Sequence, residues 1–299
     1  SYRGFFMACL KRYVLLSLCL TQCLGADLRA DVPLESINSK MPEYGVVEGP
    51  DGYYFSRGSE AFGTPGKERI LFVPKKGGLD LPAAWGNEDY SEGDPYFSPD
   101  GNQVCFISDR PDASDPHAGD ADIWCALRSG DDWLAPQRLP EPVNSAAVEF
   151  SPVLARDGGL YFASNRDGGL GMGDLYRASQ DIGGQWQVEN LGRPVNTDLG
   201  EWNLDISPNG ELLVFEASHR STNLSVSGDL YLSRRTADGW SSPVALSSLN
   251  TTGSELMPRF HSDSIMTYAS SKDGDAKVIE VRLEDFWPVP AEPSRKPED

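Results

Sequence analysis

Three observations in the sequence predict an all-β fold, specifically a five-bladed β-propeller of four-stranded antiparallel blades. An Asn and a Glu five residues apart recur five times, and each Glu is followed eight residues later by a turn residue. The sets are Asn38, Glu43, Asp51; Asn87, Glu92, Asp100; Asn144, Glu149, Asp157; Asn196, Glu201, Asn209; and Asn250, Glu255, Asp263. Each period of 49 to 57 residues holds four short β-type runs. The 30 glycines and 22 prolines favour many short elements joined by turns. Four strands repeated at this spacing suit sheets arranged radially, each unit burying its faces against its neighbours.

The first run of each unit lies between the Glu and the turn, as in Glu149 to Leu154 and Glu201 to Ile206. Pro95, Pro152 and Pro258 sit inside it at one offset. A proline cannot donate to a ladder, so this run should be an edge strand, as the innermost strand of a blade is. A tight Asp-Gly or Asn-Gly turn leads to an aromatic-rich second run, such as Val104 to Ile107 and Leu160 to Ala163. The third run opens at Asp122, Asp174 or Asp229, and the fourth at Trp133, Trp186 or Trp240. For the fifth blade two outer strands compete: residues 31–37, which would close the ring, or the segment around Phe286 and Trp287.

The propeller should span residues 31–287. Residues 1–26 read as a signal peptide with upstream residues: Lys11 and Arg12 precede an apolar run from Tyr13 to Leu20, too short to span a bilayer. Cleavage after it implies a periplasmic or secreted protein; acylation of Cys23 is the lipid-anchored alternative. Cys105 and Cys125 remain, on adjacent strands of blade two, as a cross-strand disulfide or as two buried apolar residues. Residues 288–299 form a Pro-rich, charged tail that should be disordered. With 26 Lys+Arg against 45 Asp+Glu the net charge is −19, which repels phosphate and excludes nucleic acid and anionic membrane surfaces as partners.

The runs Phe97-Ser98-Pro99-Asp100-Gly101 with Ser108-Asp109-Arg110, and Leu160-Tyr161-Phe162 with Ser164-Asn165-Arg166-Asp167-Gly168-Gly169 and Asp174-Leu175-Tyr176, resemble the WD-like repeats of the TolB-type propeller family. Ile206-Ser207-Pro208-Asn209-Gly210 continues the likeness. The resemblance implies a secreted or periplasmic propeller without intrinsic catalysis that binds a protein or glycan partner in the cell envelope.

The candidate binding residues lie where the inner strands begin. Glu43, Glu92, Glu149, Glu201 and Glu255 should encircle one mouth of the channel, either as a polar-ligand or cation site or as carboxylates satisfied within their own blades. Arg110, Arg166 and Arg220, each closing a Ser-x-Arg at the end of the second run, belong to the same face, with Lys272 and Arg57 as looser versions. With the Asp that opens the third run they should make one network per blade. Trp85 and Trp202 are placed near this mouth, for stacking on a ligand or for packing between blades. Catalysis has little support: His117, His219 and His261 share no spacing, and no nucleophile elbow or HExxH occurs. The enzyme alternative is a glycoside hydrolase or carbohydrate-binding propeller using channel-mouth carboxylates. No cofactor is expected; Ca²⁺ is left open by the acidic loop Pro111 to Ala121, and no metal ligand is assigned.

Overall fold

The computed structural model describes residues 37–112 and 121–287. The expected signal peptide, the proposed closing strand before Ile37, most of the acidic loop and the tail lie outside the described residues. Blade one comprises β1 (Glu43–Glu48), β2 (Gly52–Gly58), β3 (Glu68–Pro74) and β4 (Leu81–Pro82). Blade two comprises β5 (Glu92–Phe97), β6 (Gln103–Ser108), β7 (Asp122–Ser129), β8 (Asp132–Trp133) and β9 (Gln137–Arg138). Blade three holds β10 (Glu149–Leu154), β11 (Leu160–Ser164), β12 (Asp174–Gln180) and β13 (Trp186–Asn190). Blade four holds β14 (Gly200–Ile206), β15 (Leu212–Ser218), β16 (Asp229–Thr236), β17 (Gly239–Trp240) and β18 (Val244–Ala245). Blade five has β19 (Glu255–Phe260), β20 (Ile265–Ser270) and β21 (Lys277–Arg282) among the described residues. Apart from one isolated parallel bridge between Gly173 and Gly200 the pairings are antiparallel and run outward in chain order, so the inner strand, which bears the proline in blades two, three and five, is the edge strand in every sheet.

Two features of the outer strands depart from expectation. In blades two and four the fourth run is split in two pieces around Pro136 and Pro243, which have no N–H to give the ladder. The segment around Phe286 is not a strand: Leu283–Phe286 is a single helical turn, α1, and Trp287 packs on the blade four to five core. The ring closes from its other end. Asn38 brackets Val278 of β21, accepting from its N–H and donating to its carbonyl. Asn144, Asn196 and Asn250 do the same to Ile123, Leu175 and Leu230 of β7, β12 and β16. Each repeated Asn thus secures the third strand of the blade before it. Asn87 is the exception, its backbone N–H donating to Glu92.

The core lies between blades. Val47, Tyr54, Phe97 and Trp124 fill the first interface; Cys125, Val143, Phe162 and Tyr176 the second; Leu175, Leu204, Phe215 and Tyr231 the third. Leu230, Leu232, Met266 and Tyr268 fill the fourth, and a smaller group of Tyr44, Leu256, Ala269 and Ala276 joins blade five to blade one. Trp85 belongs to the first of these, stacked 4.9 Å from Tyr54 and edge-on to Trp133 at 5.0 Å. Cys105 and Cys125 face each other across β6 and β7 with Cα atoms 4.1 Å apart and form a disulfide. Replacing both with alanine should lower stability by about 3 kcal/mol, the loop-closure term for a cross-link of this separation. Urea unfolding of the wild type with and without reductant, beside the double variant, checks this.

Candidate functional site

The five repeated glutamates are buried at the beginnings of β1, β5, β10, β14 and β19, and each is bonded within its own blade or the segment leading into it, Glu43 also lying 3.6 Å from Lys277 of blade five. Glu201 accepts from the Thr197 N–H at 2.9 Å and hydroxyl at 2.7 Å, and from the Arg220 guanidinium at 2.8 Å. Glu149 accepts from Ser145, from the Ser164 hydroxyl at 2.7 Å and from Arg166 at 2.9 Å. Glu43 pairs with Arg57 at 2.7 Å and Glu92 with Arg110, so the shortened Ser-Arg of blade one still makes the full contact. Glu255 takes Thr251 and Ser270, and among the described residues no cation pairs with it. Each arginine also lies over an aromatic ring of its blade, Arg166 at 5.0 Å from Phe162 and Arg220 at 4.7 Å from Tyr231.

The opening aspartates of the third strands do not join these networks. Asp174 receives Leu170 N–H, Gly171 N–H and Asn190; Asp229 receives Leu224 and Ser225 N–H; Asp122 is bonded by Arg138 on β9. They brace loops and outer strands, because the third strand lies two strands further from the channel than the Glu.

The channel itself is set by a feature the repeat does not announce. Every inner strand carries a bulge, with its register shifting two residues after the Glu. The residue there has a left-handed backbone in all five blades: Gly45 at φ 65, Asp94 at 53, Ser151 at 46, Asn203 at 39 and Met257 at 50. For a residue with a β-carbon this costs ~1–2 kcal/mol. Asp94 accepts the Ser151 N–H at 3.0 Å and hydroxyl at 3.1 Å; Ser151 reaches Asn203 at 2.7 Å; Asn203 donates to Glu216 at 2.5 Å. This chain of bonds runs across blades two, three and four.

Two residues further, Tyr96, Asp205 and Arg259 occupy one repeat position and divide the channel. Tyr96 donates to Asp205 at 2.8 Å, and fully buried Arg259 donates to the Leu204 and Pro258 carbonyls at 2.9 Å. On one side opens a cavity of about 670 Å³ walled by the hairpin turns and by Arg156, Arg235 and His261. On the side where the inner strands begin lies a cavity of about 540 Å³ that includes Glu68, Asp94, Phe150, Trp202, Asn203 and Met257.

The second cavity is acidic. Burial pushes Glu68 up to about 7, the charge of Asp94 adding to the effect and the Tyr44 hydroxyl, 2.6 Å away, opposing it. Burial raises Asp94 against the pull of Arg259, and pushes Glu216 up to about 8 despite its bond from Asn203. None of these three carboxylates was singled out by the repeat. In the strand register Glu68 occupies the position of Ala121, Gly173, Gly228 and Ala276, one residue before the aspartates Asp122, Asp174 and Asp229, whose counterpart in blade one is Arg69. Gly93 makes room, since a β-carbon there would lie 2.4 Å from the Glu68 carboxylate. The signals were a Glu where other blades have Ala or Gly, and a Gly where they have Tyr44, Phe150, Trp202 and Leu256.

Fold and repeat together define a TolB-like β-propeller. No family model matches the sequence, and no curated protein does. Among solved structures the chain is similar to TolB from Acinetobacter baumannii, at 17% identity and a TM-score of 0.53 over 83% of this chain and 53% of that one. The chain therefore spans about half the length of that protein. A putative TolB from Agrobacterium tumefaciens matches at 20% identity and TM-score 0.44, covering 77% of this chain and 70% of that one. A glucose dehydrogenase matches at 13% identity and TM-score 0.45, covering 80% and 96%. The likeness is one of fold. Among the described residues no helix is long and apolar enough to cross a membrane, and no group of three or more His, Cys, Asp or Glu is placed to hold a metal ion.

Proposed function

We propose that the chain is an exported, non-catalytic binding module that holds a protein or glycan partner of the cell envelope at the channel mouth where the inner strands begin. The observation that carries this is the division of labour along the inner strand. The Glu position repeats and its carboxylate is taken up by hydrogen bonds and ion pairs, whereas the next two positions differ in every blade and supply Gly93, Asp94, Phe150, Trp202, Asn203 and Met257 to the mouth. A rigid repeated frame with variable residues at one opening is how scaffolds present recognition surfaces. The repeated glutamates give the glycoside hydrolase reading no support: a glycosidase needs two carboxylates facing a shared substrate space, and each of these five is buried and taken up by its own hydrogen bonds or ion pairs.

The test is a panel of envelope proteins, peptidoglycan fragments and glycans against the immobilised chain. Saturable binding that is lost in Trp202→Ala, with the variant still folded, is expected. No binding at all, together with hydrolysis of an arabinan or fructan that Glu149→Gln or Glu201→Gln abolishes, would overturn the reading.

A further inference from the structure

The cavity at the proposed binding mouth departs from the repeat in a way that defines a ligand chemistry. Asp94 is 1% exposed and one of its two oxygens, Oδ1, has no hydrogen-bond partner among the described residues. An unpartnered buried carboxylate oxygen is costly, and native structures rarely keep one without a use. Its other oxygen is held by Ser151, which fixes the carboxylate in place. Beside Oδ1, in the neighbouring blade, lies Gly45, whose missing β-carbon would stand 3.9 Å away. Gly93 opens the wall on the other side and admits Glu68, so two carboxylates border one space. Among the described residues no Lys or Arg forms an ion pair with either; Arg259 lies deeper, acting on Asp94 through space without bonding to it. Part of the remaining wall is aromatic, Phe150 and Trp202 packed edge to face at 5.8 Å, and a third carboxylate residue, Asp109, lines the cavity beside Ser108. Anionic oxygens beside aromatic rings attract a cation twice, by charge and by the ring quadrupole. The cavity, about 540 Å³, has room for an extended aliphatic amine.

Resting on the binding-module reading, we propose that this cavity binds a protonated primary amine presented by the partner as a lysine side chain or a chain N-terminus. Asp94 and Glu68 are its counter-charges, and Phe150 and Trp202 its aromatic wall. The aliphatic stem lies against the rings and Met257, and the ammonium supplies the donor that Oδ1 lacks.

Titration calorimetry on the full chain at pH 7.5 tests this with three probes: Nα-acetyl-lysine N-methylamide, its norleucine counterpart, and glycylglycinamide. The lysine probe, the glycyl probe, or both should bind at least tenfold more tightly than the norleucine probe, and which of them does identifies the source of the amine. Asp94→Asn, close in shape and able to keep the Ser151 bonds, should lose that preference; Glu68→Gln should weaken it and serves if Asp94→Asn does not fold. Equal binding of all three probes, absence of binding by both amines, or an unchanged preference in the folded variants would overturn the proposal. Envelope-partner binding that neither variant nor the lysine probe affects would overturn it while leaving the binding-module reading standing. Amine binding without any envelope partner would instead overturn that reading.

Discussion

Glu201→Ala is expected to destabilise the propeller by about 3–5 kcal/mol, the usual cost of removing one partner of a buried ion pair. The carboxylate is fully buried, and Arg220 beside it is largely so. Its removal leaves the guanidinium with the Val195 carbonyl and the Tyr231 ring but no counter-charge, and frees the Thr197 N–H and hydroxyl. The protein supplies its own control. Glu255 holds the same place in blade five and makes the same two Thr bonds, yet no cation pairs with it among the described residues. Glu255→Ala therefore strands hydroxyl and amide donors without stranding a charge, and should cost less, about 1–3 kcal/mol. Urea unfolding of both variants decides the matter. Equal losses would mean that the arginine contributes nothing and that the hydroxyl bonds carry the whole effect.

That comparison also shows which parts of the molecule were legible in the sequence. The repeated Glu and Ser-x-Arg could be read because both partners lie in one blade, within about twenty residues, and recur in register. The Asn was read as the start of its own unit, although its bonds run backwards to the third strand of the blade before. Only closure of the ring, with Asn38 on Val278, makes that direction plain. The left-handed bulge was half visible. Pro95, Pro152 and Pro258 follow the bulge residue and marked an interrupted ladder, but Ser151 and Met257 are not residues that announce a positive φ. The acidic chamber was hidden for a different reason. Glu68 and Asp94, which line it, and Glu216, bonded behind Asn203, come from three blades and three different strand positions, and only the radial packing of the blades brings them together. Its traces are breaks in the repeat, and a search for shared residues passes over them.

Arg259→Met should cost about 3–5 kcal/mol at pH 8 and much less at pH 5, because the arginine is the buried cation that acts on two buried carboxylates, Asp94 and Asp205. Methionine retains much of the side-chain volume, so the comparison isolates charge more than packing. Asp205 already stands at about 6 in the native protein: burial raises it, and Arg259 together with the Phe260 N–H and Tyr96 hydroxyl limits the rise. Without Arg259 both aspartates move up further. The native variant then holds protons that the unfolded chain, with ordinary carboxylates near ~4, releases above that pH. Its stability must therefore climb as the pH falls from the raised native values toward about 4, by about 1.4 kcal/mol per pH unit for each extra proton held. The wild type has the same sign for Asp205 but a narrower window, between about 4 and 6, so the difference between the two proteins shrinks in acid. A remainder should persist at every pH, since the Leu204 and Pro258 carbonyls lose their donor whatever the protonation of the aspartates. Urea unfolding at pH 5, 6.5 and 8 measures both parts. A penalty of constant size across that range would show that Arg259 fills space and donates to carbonyls without neutralising Asp94 and Asp205. The central position would then be a packing feature, and the charge on Asp94 would have to be balanced from the chamber side alone.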